Sequence, residues 1–416
     1  MKRILYCPAG FLLLGWLFVA SAVQAQNDDF FSIGGVVKNA KSKKNLEYIN
    51  VSVAGSNIGT ITNENGEFVL KIGKELNAHE IELSGEGYYN ARQTISATDL
   101  LEQVFFLVPR SVELSEIEVL GWKNPEDLIV AAIEKVETNY GSTPNLLTAF
   151  YRETIQKGRH YINVSEAVMN VYKSPYKIGA TDDRVQILKG RKLLSPKPQD
   201  TLSIKLVGGP NAAIFLDVVK NPDLLLDKKL LPYYAYTMGE LTSIDDRLQY
   251  VVHFAPQMIL PPPLYVGTYY IDKETLAFTR IKFSLDMRDK SLVAQLILKN
   301  KPLGLRFVPD ELSYIVAYKQ QNGKSYLNYI RNELRFKCDW KRKLFSTHYS
   351  VISEMVTTDR TDVQVEKITR KNAFLENNSL SQKVMSYYDQ DFWGAYNIIE
   401  PTESLESATT KLKRVE

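Results

Sequence analysis

The sequence predicts a mainly β protein: an N-terminal β-sandwich followed by a long-stranded antiparallel, half-barrel-like sheet with a few helices. Three observations carry this. Between Ile33 and Ile72, short runs of alternating side chains are separated by turns rich in Gly, Asn and Ser. From Leu146 to about Val365, long apolar-polar runs succeed one another, punctuated by hairpin signals. Helix signals are sparse, and the clearest begins at Asn124.

In the sandwich, Gly34–Val37 starts a strand and Lys41–Lys44 turns it. Ile49, Val51 and Val53 then alternate with Asn50, Ser52 and Ala54, the period-2 pattern of a half-buried strand. Ile58, Thr60 and Thr62 form the next strand. Asn63-Glu64-Asn65-Gly66 supplies the positive φ angles of a tight hairpin, and Phe68, Leu70 and Ile72 return on one face. His79–Ser84 continues the domain, Gly87–Asn90 turns, and the unbroken apolar run Val104–Val108 reads as a central strand. Glu113–Val119 alternates again and closes the domain near Leu120.

Gly35-Val36-Val37, Ile49–Val53, Gly59-Thr60 and Thr62–Phe68 together resemble the carboxypeptidase-like regulatory domain, a transthyretin-like β-sandwich. That family follows the signal peptide of TonB-dependent outer-membrane receptors and accompanies some metallocarboxypeptidases. The resemblance implies fold and compartment. It imports no zinc, because in carboxypeptidases the metal belongs to a catalytic domain. Family members usually carry Asp where Asn63 stands, so no carboxylate role transfers to that position.

Residues 1–25 read as a signal peptide: basic Lys2-Arg3, an apolar core from Phe11 to Ala22, and small residues at Val23 and Ala25, with cleavage after Ala25. The apolar run is too short for a stable spanning helix, so no transmembrane helix is expected in the mature chain. Cys7 precedes the apolar core, which does not fit a lipoprotein signal. Cleavage removes two of the 51 basic residues and none of the 48 acidic ones, and this near-neutrality argues against a nucleic-acid partner. Only Cys338 then remains, so no intrachain disulfide can form and the core alone must hold the fold.

The domains are expected at 26–120 for the sandwich, at 121–371 for a curved antiparallel sheet with a helix over 125–138, and at 372–416 for an aromatic segment and C-terminal helix. Asn124 caps that first helix, Pro125 occupies N1, Glu126 and Asp127 fill the first turn, and Leu128, Ile129, Ala132, Ile133 and Val136 share a face. Strands are predicted at 149–154, 161–172, 185–194, 233–241, 248–254, 264–271, 277–283, 312–319, 326–336 and 344–355. Helical interruptions are expected at 211–219 and 223–231. Asp272–Thr275 and, most strongly, Asn322-Gly323 mark hairpins. The meander resembles in pattern the half-barrel of LolA-type lipoprotein carriers. The stretches Phe150–Glu153, Ser165–Lys173 and Asp391–Trp393 resemble an uncharacterised envelope family that also begins with the regulatory module. In the tail, the aromatics of Tyr387–Asn397 need a surface to dock on, and Pro401-Thr402 opens a helix with Leu405, Ala408, Leu412 and Val415 on one stripe.

No catalytic, cofactor-binding or metal residue set emerges. His79, His160, His253 and His348 are too dispersed for a His-x₃-His metal motif, and a strand-edge position explains each. Gly55-Ser56-Asn57-Ile58-Gly59 misses the serine-hydrolase elbow by one residue and reads as a turn. Ser174-Pro175-Tyr176-Lys177 matches Ser-x-x-Lys only by letter, since Pro175 follows a strand. Asp182-Asp183, Asp245-Asp246 and Asp389/Asp391 are paired carboxylates by position, but loop Asp ordinarily caps turns. Tyr233, Tyr234, Tyr236, Tyr265, Tyr269 and Tyr270, among 24 tyrosines, suit strand packing. The reading is therefore a non-enzymatic, exported protein of the periplasm or the periplasmic face of the outer membrane. It binds an envelope protein or an apolar lipid or glycan ligand. A glycan-directed hydrolase with dispersed carboxylates is one alternative, and a structural module acting by β-strand addition is another.

Overall fold

A computed structural model of the chain describes residues 29–111, 122, 124–197, 200, 202, 204–206, 208–341, 346–375, 380–387 and 393–414. The expected signal peptide, the strand at Glu113–Val119, and Asp389 and Asp391 lie outside the described residues.

The N-terminal part is a two-sheet sandwich. Its strands are β1 (Phe30–Asn39), β2 (Asn50–Val53), β3 (Gly59–Ile61), β4 (Glu67–Gly73), β5 (Glu80–Ser84), β6 (Ala91–Thr94) and β7 (Leu100–Leu107). One sheet has the order β4-β1-β7 and the other β3-β2-β5-β6. Inward residues Ile33, Val37, Val51, Phe68, Leu70, Ile72, Ile81, Leu83 and Leu107 fill the space between them. Two expectations are corrected. Asn63–Gly66 does not close a hairpin, because β3 and β4 belong to different sheets. The Asn63 side chain accepts from the backbone N–H groups of Asn65 and Glu67, and Gly66 takes a φ of 77°, so the chain turns a corner between layers. Among the described residues the run Val104–Val108 is at a sheet edge rather than central: β7 pairs there with β1 alone, parallel to it, with Phe105 and Leu107 buried and Val104, Phe106 and Val108 exposed. A short apolar run does not reveal which of its faces is covered.

Helices α1 (Pro125–Glu134) and α2 (Val136–Asn139) follow; the expected single helix is interrupted at Lys135, whose ψ of −2° leaves the helical range. Asn124 caps α1 as expected, its side chain accepting from Glu126 N–H. The remaining elements are β8 (Asn145–Lys157), β9 (His160–Lys173), β10 (Arg184–Leu194), β11 (Lys205–Leu206), α3 (Pro210–Phe215), β12 (Tyr234–Met238), β13 (Thr242–Ile244), β14 (Arg247–Pro256), β15 (Tyr265–Asp272), β16 (Phe278–Leu285), α4 (Lys290–Ile297), β17 (Leu298–Asn300), β18 (Leu305–Gln321), β19 (Lys324–Trp340), β20 (Thr347–Thr361), α5 (Leu380–Lys383), α6 (Glu403–Lys411) and β21 (Lys413–Arg414). The stretch expected to be helical at 223–231 holds only 3-10 turns at its ends, Pro222–Leu224 and Leu231–Tyr233, and α4 has no counterpart among the sequence expectations.

The second part is one open antiparallel sheet with the order β12-β14-β15-β16-β18-β19-β20-β8-β9-β10-β21, with β13 attached to β14. Pairing of β20 with β8 joins the end of the meander to its beginning. Asn322 and Gly323, with φ of 49° and 75°, form the tight turn between β18 and β19 that their sequence demands. One face of this sheet is sealed from within: Leu128, Ile129 and Ala132 of α1, Ala213 and Ile214 of α3, and Leu225, Leu226 and Leu231 pack on Tyr151, Met169, Val252, Tyr269 and Ile330. The other face receives the sandwich and the C-terminal tail. Among the described residues no helix is long and apolar enough to cross a membrane.

The Gly66 corner gives a stability prediction. A Cβ there would stand 2.9 Å from the Val37 carbonyl oxygen and 3.0 Å from the Leu46 nitrogen, in a left-handed conformation. Gly66→Ala is expected to destabilise the fold by about 1–3 kcal/mol in denaturant titration, and a change within error would contradict the corner geometry.

Candidate functional site

Along β8, Phe150 and Arg152 face the sandwich side of the sheet while Tyr151 joins the sealed core. Arg152 Nε donates to Glu166 Oε1 of β9 at 2.6 Å, and Arg191 of β10 binds the other oxygen of the same carboxylate. Burial alone would raise the Glu166 pKa, but the two guanidinium groups hold it below the usual carboxylate range. The second branch of Arg152 donates to the Ile399 carbonyl at 2.8 Å. The Trp393 ring meets Phe150 edge-on at 5.3 Å, and the Arg191 guanidinium stands 5.4 Å over Trp393. The described part of the aromatic segment, from Trp393 on, therefore docks on the chain's own sheet, and residues from the three stretches that resemble an envelope family converge at one node.

The tail in turn holds the sandwich. Thr60 donates to the Ile398 carbonyl at 2.8 Å, Asn397 exchanges hydrogen bonds with the Lys71 backbone at 2.7 and 3.0 Å, and Asn63 donates to the Glu400 carbonyl at 3.2 Å. From the sheet, Lys319 reaches Ser52 at 2.7 Å, Asn328 reaches Asn50 at 2.6 Å, and Arg280 and Lys282 both bind Glu86 at 2.8 Å. Ile61, Phe150, Tyr329, Val356, Ile398 and Ile399 share one apolar cluster drawn from all three parts. The polar residues of β2 and β3 are thus buried at an interface; the alternation had suggested a solvent face.

Beside this junction opens a cleft of about 730 Å³, floored by β8, β19 and β20 and walled by Asn63 and Glu64 of the sandwich and Glu400 and Thr402 of the tail. Its charges are balanced. Arg331 is bound by Glu64, Glu333 and Glu354 at 2.9, 3.3 and 2.7 Å, and Arg335 pairs with Glu333 and Glu311. Burial raises the Glu400 pKa, with Arg152 and Lys71 opposing it. Tyr349 stacks on Phe336 with ring centroids 5.3 Å apart and planes 15° from parallel, and both rings join the apolar cluster on the face of the sheet opposite Arg331, Glu333 and Glu354. Glu333 and Glu354 are both engaged by Arg331, so neither stands as a free acid opposite a free base.

The residues weighed from sequence fall elsewhere. His79, His160, His253 and His348 are separate and exposed, and among the described residues no three His, Cys, Asp or Glu side chains gather as a metal site. Only His348 borders the cleft. Ser56 caps its own turn by accepting from Ile58 N–H. Asp245 and Asp246, with φ of 51° and 58°, form the turn between β13 and β14. Asp183 departs from the turn-cap expectation: it is buried between Lys173 and Lys220, each 2.6 Å away, and Lys173 also meets Asp217 at 2.8 Å. Tyr318 and Tyr176 donate to Asp217 at 2.8 and 3.1 Å. Burial and the neighbouring Lys173 charge push the Lys220 amine down to about 8 against the pull of Asp183. These groups satisfy one another and anchor the segment around 174–183 and 217–220 to β9. Sequence offered no signal for the cluster beyond charged residues inside apolar runs.

Residues 33–119 match the family described as the CarboxypepD_reg-like domain. No curated protein matches the chain. Among solved structures, a domain assigned to outer-membrane lipoprotein sorting from Vibrio parahaemolyticus is 12% identical, covers 59% of this chain and 96% of its own, and has a TM-score of 0.27. A DUF1329 family protein from Desulfovibrio piger is 14% identical, with coverages of 58% and 92% and a TM-score of 0.21. A membrane-associated protein of unknown function from Bacteroides fragilis is 10% identical, with coverages of 80% and 99% and a TM-score of 0.16.

The Glu166 node yields a pH prediction. A carboxyl whose folded pKa is lowered contributes stability above its unfolded value of about 4.3, and loses it as pH falls through the lower folded value. Glu166→Gln leaves Arg152 buried without its counter-charge and is expected to cost about 3–5 kcal/mol at pH 7. In chemical denaturation, the gap between wild type and variant should shrink as the pH drops below about 4; a gap independent of pH would exclude an ionised Glu166.

Proposed function

We propose that this chain is a non-catalytic binding protein exported to the cell envelope, and that it holds an uncharged polar ligand of the oligosaccharide class in the junction cleft. The observation that carries the reading is the contrast between the two faces of the sheet. The apolar face, which would hold a lipid, is filled by α1, α3 and the leucines of 225–231, whereas the cleft on the other face has room for several sugar rings. Its paired Arg and Glu side chains present fixed donors and acceptors to a ligand's hydroxyl groups. The signal sequence expected at 1–25 and the regulatory-type sandwich support export, with the periplasm or the periplasmic face of the outer membrane as the proposed destination. The hydrolase alternative needs two free carboxyl groups across the cleft; Glu64, Glu333 and Glu354 are all bound by Arg331 and Asp310 by Lys290 and Lys337, which among the described residues leaves Glu400 without a free carboxylate opposite it.

Screening the full mature chain on an array of bacterial surface and cell-wall oligosaccharides tests this. Binding of at least one neutral oligosaccharide is expected, unchanged ligand should be recovered, and Arg335→Ala, which removes a cleft donor, should weaken binding about tenfold, or ~1.4 kcal/mol. Retention of no sugar, or cleavage of a bound one, would overturn the reading.

A further inference from the structure

On the outer face of the sheet β4-β1-β7 the side chains of β7 are apolar and, among the described residues, uncovered. β7 forms the edge of this sheet, and the outward Val104 and Phe106 are 50% and 45% exposed, with Leu101 and Val108 beside them. An edge strand that is both apolar and unpaired presents free backbone N–H and C=O groups and is a template for pairing with another strand. Glu102 takes a φ of 59° where the register against β1 shifts, so the straight part of the edge runs from Gln103 to Leu107.

Charge is divided along this edge. At its C-terminal end Lys38 stands next to Phe106 in register, the Lys43 ammonium lies 4.5 Å over the Phe106 ring, and Lys41 and Lys44 are exposed in the adjoining turn. At its N-terminal end stand Asp99 and Glu102, both exposed. A strand that is basic at one end and acidic at the other complements a copy of itself run antiparallel, because a two-fold axis brings unlike ends together.

We propose that β7 is a self-association surface, at which two copies of this chain pair antiparallel about a two-fold axis near Phe105 and join their three-stranded sheets. In this arrangement Val104 of one copy stands opposite Phe106 of the other, and the Lys43 end of each meets the Glu102 end of its mate. An anionic lipid surface would attract one end of the strand and repel the other, so the division of charge favours a second copy over a membrane. The contact is confined to one short edge and belongs to the small, weak class of interfaces, with a dissociation constant on the order of micromolar.

Sedimentation equilibrium of the full mature chain over about 1 to 100 μM tests the proposal, using wild type, Phe106→Glu, Lys43→Glu, Glu102→Lys and the double reversal. A monomer–dimer equilibrium is expected for wild type. Phe106→Glu should be monomeric throughout with an unchanged melting curve, as expected for a side chain outside the core. Each single reversal should weaken the dimer about tenfold, and the double reversal should restore it, because the ion pairs re-form with exchanged sign. A wild-type chain that stays monomeric over the whole range overturns the proposal, whether the edge is then free, covered by residues 112–121 of the same chain or reserved for another protein. A dimer that survives Phe106→Glu overturns it equally.

Discussion

The arrangement depends on one buried carboxylate shared by two guanidinium groups. Glu166 is almost fully buried in the middle of the sheet, and it is tolerable there only because Arg152 and Arg191 neutralise it from both sides. The same arginines carry the tail: Arg152 binds the Ile399 carbonyl, and Arg191 lies over Trp393. The tail then binds β3 and β4 of the sandwich through Thr60, Asn63 and Lys71. A charge placed on β9 thus reaches through the tail to the sandwich and, beside the direct contacts from Lys319, Asn328, Arg280 and Lys282, helps set the walls of the cleft.

The two faces of the sheet solve opposite problems. One is covered by the chain's own helices and leucines, which close the position where a half-barrel could admit an apolar ligand. The other is covered by a sandwich and a tail that meet it through hydrogen bonds, ion pairs and one small apolar cluster. A cover built from directional contacts leaves gaps where the shapes diverge, and the cleft beside Arg331 is one of them. Binding in such a cleft relies on polar groups already positioned by their own ion pairs, so little ordering remains to be done when a ligand arrives.

Local rules made most of the strands legible. Asn322-Gly323 specified its turn, Asn124-Pro125 specified a helix start, and alternation at Phe68, Leu70 and Ile72 specified a buried face, because each is decided by neighbours in sequence. Long-range pairing was not legible. Ser52 and Thr60 look like solvent-facing residues and are buried by Lys319 and by the Ile398 carbonyl. Val104 to Val108 looks central and is an edge, since an apolar run carries no label for its uncovered side. Lys173, Asp183, Asp217 and Lys220 meet only after β9 and two loops are folded together, and no spacing rule anticipates that. The cleft itself was invisible for the same reason, its walls coming from Glu64, Arg331, Glu354 and Glu400 on four separate segments.

Hydrogen–deuterium exchange of the Arg152→Met chain against wild type tests most directly whether this node sets the placement of tail and sandwich. The account predicts faster exchange in residues 393–400 together with β2 and β3, while α1, packed on the opposite face, keeps its protection. Faster exchange restricted to β8 and β9, with tail and sandwich unchanged, would contradict it.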